Sequence, residues 1–240
     1  MIRWLATALL LTTSVCASDI PNIATFSIVA RDPNTGEIGV AVQSKFVAVG
    51  GVVPYAKAGV GAIATQALAN PNFGPIGLEL LAAGKSTEEI SSFFQQADPG
   101  IANRQFAILP TEGEIITFTG DKCLEWAGSQ TGKHYAVQGN ILANENVITA
   151  MAEAFEQTEG ALAERLIAAL KAGQDAGGDK RGRQSAALLV VRQGWGYAGA
   201  NDRFRDLRVD DDERPIEKLK EIYQKHREIF PRPKLKKEAE

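Results

Sequence analysis

The chain has 240 residues, 45% of them hydrophobic and 23% charged, with a net charge of −3 at neutral pH. That length and balance suit one globular domain with a sizeable core and exclude disordered, collagen-like and fibrous classes. A mildly acidic chain also lacks the basic footprint that nucleic acid or an anionic membrane surface requires.

The first residues carry Arg3, an apolar stretch from Trp4 to Leu11 and small residues up to Ala17. This is the layout of a secretory signal peptide over 1–17, which predicts export to the periplasm or beyond and no membrane contact after cleavage. An uncleaved anchor and lipidation at Cys16 are the alternatives. Without Arg3 the remaining 25 basic and 29 acidic side chains leave a net charge of −4. Without Cys16 only Cys123 remains, so no intramolecular disulfide can form. The domain is placed at 18–230, followed by a charged tail at 231–240 that is expected to be disordered.

Alternating runs at Thr25–Asp32 and from Glu37, separated by Pro33-Asn34-Thr35-Gly36, predict a β-hairpin. The Val-, Ala- and Gly-rich stretch that follows is long enough for two more strands. Pro75 and Gly84 punctuate a short helix, and Ser86 with Glu89 three residues on is a capping-box signature for a second. QFAILP and EIITFTG predict another hairpin, and His134–Asn140 a strand. Helices follow at about 147–157 and 162–172, the latter with Leu162, Leu166, Ala169 and Leu170 on one face. After a polar glycine-rich loop at 177–185 come a buried strand, AALLVVRQG, and a helix from Pro215 to about Ile229. Strands paired by hairpins and helices in pairs predict an α+β fold with two mostly antiparallel sheets between helices.

Two histidines, His134 and His226, without HExxH or CxxC, argue against a metal centre. Asp210-Asp211-Asp212 reads better as a solvated turn than as a cation site. No Walker loop is present, and no cofactor is expected.

The strings TFSIVARDPNTGEIGVAVQSKF, GVGAIATQALANPNFG, YAVQGN, GGDKRGRQSAALLVV and DLRVDD, in this order, resemble the Ntn-hydrolase-like family of unknown function DUF1028. The resemblance runs from Thr25 to about Leu219. It implies a four-layer αββα sandwich of two mostly antiparallel sheets and, by fold, an amide-bond hydrolase. Ntn hydrolases use the first residue of the mature chain as nucleophile and its α-amine, which titrates near 7.7 to 8.0, as base. Thr25 stands at the head of the first strand, where that nucleophile would stand. Cleavage after Ala17 would leave Ser18 to Ala24 in front of it; cleavage after Ala24 would free it.

Compared with proteasome-type relatives, Gln43-Ser44-Lys45 occupies the place of an Asp, and Lys45 is the candidate replacement charge. Ser185 matches the Ser of their Arg-Asp-x-x-Ser-Gly-Gly segment, with Gly182 in place of its Asp. Gln138 and Asn140 end a strand with amides suited to an oxyanion hole or a carbonyl clamp, and Gln66 and Asn70 are candidates for similar work. Arg181 and Arg183 suit a substrate carboxylate, and Gln184, between them and Ser185, is a further candidate for substrate binding. The expected partner is a small molecule, a carboxylate-bearing amide. The competing reading is a binding or assembly protein that keeps the scaffold without turnover. A homo-oligomer is expected by analogy with such folds.

Overall fold

The computed structural model describes residues 25–234. The signal-peptide segment and the last six residues lie outside the described residues.

Thr25–Asp32 (β1) and Glu37–Ser44 (β2) form the hairpin that the Pro/Asn/Gly turn requires, with Gly36 at φ 71° closing it. Pro54–Lys57 (β3) and Gly61–Ala67 (β4) pair next, and Arg104–Pro110 (β5) with Ile116–Thr119 (β6) continues the same sheet. Gly128–Gly132 (β7), Tyr135–Asn140 (β8), Ser185–Val191 (β9) and Arg203–Val209 (β10) return to the first sheet. The result is a six-stranded sheet in the order β10-β9-β2-β1-β8-β7 and a four-stranded sheet in the order β3-β4-β5-β6. Every strand pair is antiparallel.

Five α-helices complete the described residues: α1 (Phe73–Ala82), α2 (Thr87–Ala97), α3 (Asn146–Gln157), α4 (Leu162–Asp175) and α5 (Pro215–Ile229). α1 begins ahead of Pro75, because a proline in the first turn needs no N–H partner and leaves room for residues before it. The capping box at Ser86 is present, with the Ser86 hydroxyl accepting from Glu89 N–H and Glu89 accepting from Ser86 N–H.

Alternation along the strands sorts side chains into three cores. Val29, Val40, Val42, Ala64, Leu109 and Ala136 fill the space between the sheets. Phe26, Ile28, Val137 and Leu188 pack against α3, α4 and α5 through Met151, Phe155, Leu166 and Leu219. Ile63, Phe106 and Ile108 meet α1 and α2 through Phe73, Ile90 and Phe94. Phe73 stacks on Phe94 at 4.1 Å, and Phe106 meets both edge-on. α1 rides so close to β4 that a Cβ on Gly77 would sit 2.1 Å from Ile63 Cδ1.

The pattern of alternation missed two strands. β7, GSQTG, is an edge strand with little apolar content, and β10, RFRDLRV, carries arginines on both faces. The segment read as the start of a free tail is also engaged, since Arg232 pairs with the buried carboxylate of Glu37 at 2.9 Å.

Candidate functional site

The register of β1 decides what surrounds its first residue. Thr25 lies between Ser44 at the end of β2 and Asn140 at the end of β8, so three strand ends meet at one end of the six-stranded sheet. The end of β4 and the start of β5 face them from the other sheet, bringing Gln66 and Gln105, which are register partners of each other. Thr25, Ser27, Ser44, Gln66, Gln105 and Gln138 are fully buried, and Asn140 is 1% exposed.

Polar side chains buried to this degree must satisfy one another. The Thr25 hydroxyl donates to Ser44 Oγ at 3.1 Å. Gln66 takes a 2.6 Å bond from the Ser27 hydroxyl on its Oε1 and donates from Nε2 to the Thr25 carbonyl at 3.2 Å and to Gln105 Oε1 at 2.8 Å. Asn140 Nδ2 donates to that same Gln105 oxygen at 3.2 Å. The Gln105 amide nitrogen faces only acceptors: Thr119 Oγ1, Gly128 O and Gly139 O. Its orientation is therefore fixed, and it dictates that both Gln66 and Asn140 present N–H groups toward it. Gln138 Nε2 crosses to the Ala64 carbonyl at 3.2 Å, so the cluster also ties the two sheets together.

The sequence-predicted residues separate into two groups. Thr25, Gln66, Gln138 and Asn140 come together here. Lys45 does not join them: it is exposed, and its ammonium lies 3.4 Å from the Arg183 carbonyl rather than at the Thr25 hydroxyl. Ser185 donates to the Phe46 carbonyl and accepts from Val49 N–H at 3.1 Å, so its hydroxyl anchors the turn after β2. Asn70 shapes the loop after β4, donating to Asp98 at 2.9 Å and accepting from Asn72 N–H. Burial pushes the Asp98 carboxyl up, but hydrogen bonds from Arg104, Asn70 and Gly100 outweigh it and hold the group below its ordinary range. Gln184 donates to Asp211 at 3.1 Å, which places that aspartate in a loop clasp. Among the described residues no group of His, Cys, Asp or Glu is arranged to hold a metal ion.

Two residues that sequence reasoning passed over organise the site. Gln105 is the hub of the amide cluster; its signal was a glutamine at the head of an otherwise apolar strand, QFAILP. Asp179, 3% exposed, receives Lys45 N–H at 2.8 Å and Arg181 N–H at 2.8 Å, and it pairs with the Arg181 guanidinium at 3.1 Å. Because Lys45 follows Ser44 directly, this carboxylate hangs the glycine-rich loop beside the Thr25 end of the sheet. Cys123 lines a small cavity of about 10 Å³ with Asn140, Ala67 and Ile141, and burial pushes its thiol up, away from thiolate reactivity.

Fold and site together define a mixed α+β protein of two antiparallel sheets with a buried amide cluster where the strands of both sheets end. Residues 25–219 match the model of the family of unknown function DUF1028, and the chain belongs to that family. It is similar to the crystal structure of protein SPO2555 from Silicibacter pomeroyi, itself assigned to DUF1028: 34% identity, a TM-score of 0.78, and coverage of 85% of this chain and 86% of that one. No curated protein matches it.

Proposed function

We propose that the chain is an exported amidohydrolase of the N-terminal-nucleophile type, acting on a small carboxylate-bearing amide, with Thr25 as nucleophile. The arrangement of helices outside two facing sheets fits the four-layer αββα sandwich of that superfamily. The carrying observation is the position of Thr25, at the head of a central strand among converging amides, with its hydroxyl bonded to Ser44 and to no titratable side chain among the described residues. A lone hydroxyl is a weak nucleophile without a base. The remaining base is the threonine's own nitrogen, which becomes a primary amine when the chain is cut between Ala24 and Thr25.

In this reading the amine takes the Oγ proton as Oγ attacks the substrate carbonyl. The Asn140 amide stabilises the oxyanion, the proton passes to the leaving amine, and water then hydrolyses the ester left on Thr25. Gln105 holds Asn140 in the donor orientation. Arg181, held by Asp179 on the adjoining loop, receives the substrate carboxylate. Lys45 and Ser185 have no part in it.

The competing reading, a binding protein that keeps the scaffold without turnover, is favoured by one observation: the Thr25 side chain is wholly buried with its hydroxyl engaged. The mass of the exported chain separates the two. A mature chain beginning at Thr25, with amidase activity lost in Thr25→Ala and kept in part in Thr25→Ser, supports the hydrolase. An active protein whose Thr25 nitrogen is still in a peptide bond overturns it.

A further inference from the structure

A larger cavity, of about 400 Å³, opens where the loop between β9 and β10 meets the end of α5, and its size is that of a small-molecule site. The loop is held by its own bonds. Gly194 N–H donates to Asp202 Oδ1 at 2.9 Å and Gly196 N–H to the Asn201 carbonyl at 2.8 Å, while Gly194 and Gly199 turn at φ 70°. This frame carries two aromatic rings. Trp195 is fixed in place: the Phe204 ring meets it edge-on at 5.0 Å, and the Arg192 and Arg232 guanidinium groups lie over it at 5.3 and 5.5 Å. Tyr197 is left 74% exposed, 6.0 Å from the Phe230 ring. Ile229 and Phe230, which line the same cavity, are 69% and 40% exposed. Three large apolar side chains left in water around one cavity, with polar groups at its rim, mark a binding surface rather than scattered exposure.

The polar groups at the rim select the ligand class. Arg203, Asp206 and His226 line the cavity beside the aromatic rings. Arg205 Nη1, which can only donate, meets His226 Nδ1 at 3.0 Å, so Nδ1 accepts and the ring hydrogen sits on Nε2. Asp206 takes one bond on each oxygen, from Arg203 at 2.5 Å and from Arg208 at 3.2 Å, and keeps a lone pair on each. A lone cation would find that carboxylate already paired, and a purely apolar ligand would leave the donors and the acceptor unused. We propose that the cavity binds a neutral sugar, the C–H face of a pyranose ring resting on Tyr197 and Phe230 and its hydroxyls meeting Arg203, Asp206 and His226 Nε2. Hydroxyls donate and accept at once, which matches a rim that offers both, and a pyranose ring has the apolar face that aromatic side chains cover. At about 30 Å³ per water-sized atom the cavity holds about thirteen heavy atoms, the size of a hexose.

The site is independent of the amide cluster. β9 pairs its first residue, Ser185, with Ser44 beside Thr25 and its last, Val191, with Ile38 at the other end of β2. The loop that carries Tyr197 follows Val191, so the two sites lie at opposite ends of that strand, about 20 Å apart at about 3.3 Å per residue.

The test is titration of the full exported chain with methyl β-glucoside, methyl β-galactoside and N-acetylglucosamine, followed by calorimetry and saturation-transfer NMR. Cyclohexanol, a ring without the hydroxyl array, is the comparison. The expected result is one sugar bound per chain with a dissociation constant of about 1 mM or below, weakened about tenfold in Tyr197→Ala through loss of the ring. Tyr197→Phe keeps the ring and should bind within about twofold of the parent. Arg203→Met, at a side chain 61% exposed, should weaken binding about threefold or more. Thr25→Ala should bind as the parent does. Tyr197 and Arg203 stand in water, so these variants fold. No binding of any of the three sugars, cyclohexanol bound as tightly as they are, unchanged binding in Tyr197→Ala, or loss of binding in Thr25→Ala each overturns the proposal.

Discussion

Replacing Gln105 with leucine tests whether the amide cluster is a satisfied network or a loose assortment of polar groups. The substitution nearly preserves volume but removes the oxygen that serves Gln66 and Asn140 and the nitrogen that serves Gly139. Two N–H groups and one carbonyl are then stranded in a region where the side chains are 0 to 1% exposed. At roughly 1–3 kcal/mol for each of the three orphaned groups, the loss is about 3–9 kcal/mol. The apolar gain from burying leucine instead of an amide returns about 1–2 kcal/mol. The net expectation is a destabilisation of about 4 kcal/mol, read as a drop in the urea midpoint followed by tryptophan fluorescence and far-UV circular dichroism. Thr119→Val, which removes only one half-buried acceptor, is the control and should cost about 1 kcal/mol or less. A Gln105→Leu protein within about 1 kcal/mol of the parent would refute the reasoning, since no network of this burial can lose its hub so cheaply.

At the other end of the sandwich, Arg31 donates to the carbonyls of Pro110, Gly113 and Lys133, so Arg31→Met should cost about 2–4 kcal/mol in the same assay. Both histidines make the protein acid-sensitive. Burial, with Arg31 and Lys133 nearby, holds His134 below its ordinary value, and burial with Arg205 nearby does the same to His226. A histidine depressed in the folded state is protonated first in the unfolded chain, so its contribution is complete above about pH 6.5 and is lost as pH falls below it. The urea midpoint should therefore drop between about pH 7 and 5, and His226→Gln should flatten part of that slope; an unchanged midpoint across the window contradicts it. Asp179→Asn leaves an acceptor but removes the charge that holds Arg181. Trypsin should then cut the loop after Lys180, Arg181 or Arg183 about tenfold faster, the equivalent of about 1.4 kcal/mol of loop opening.

Most of the fold was legible because its strands and helices obey their periods. TFSIVARD and EIGVAVQS alternate cleanly around a turn that glycine must close, and Ser86 with Glu89 marks a helix start without any tertiary knowledge. What escaped were elements whose stability is borrowed. β7 is held by its ladder to β8, and the arginines of β10 mask an alternation that the sheet restores by burying Arg205. The site was legible in part for the same reason. Gln138 and Asn140 stood out as amides ending a strand, but Gln105, on a strand remote in sequence, became their partner only through the facing of two sheets. Lys45 and Ser185 do not join the cluster because a match of position to a relative's motif does not fix the direction of a side chain. Lys45 turns outward at the end of β2, and the Ser185 hydroxyl answers the nearer need of the turn at Phe46 and Val49.

The two ends of the sheet interface solve the same problem with different chemistry, and the difference bears on function. Both must close an apolar layer against water while satisfying strand-end backbone groups. One end uses a cation, Arg31, directed at loop carbonyls. The other uses neutral amides and hydroxyls, with Gln105 fixing their polarity. A neutral cluster orients donors toward a developing negative charge without competing for protons, and it contains no group that accepts one at neutral pH. Any hydrolysis at that end must therefore import its base. Among the atoms at the head of β1, the nitrogen of Thr25 is the one that a single peptide-bond cleavage converts from an amide into an amine titrating near neutrality. The neutrality of the cluster and the dependence on chain processing are thus one property, which makes the mature N-terminus the measurement that decides whether this end of the sheet is a reaction centre.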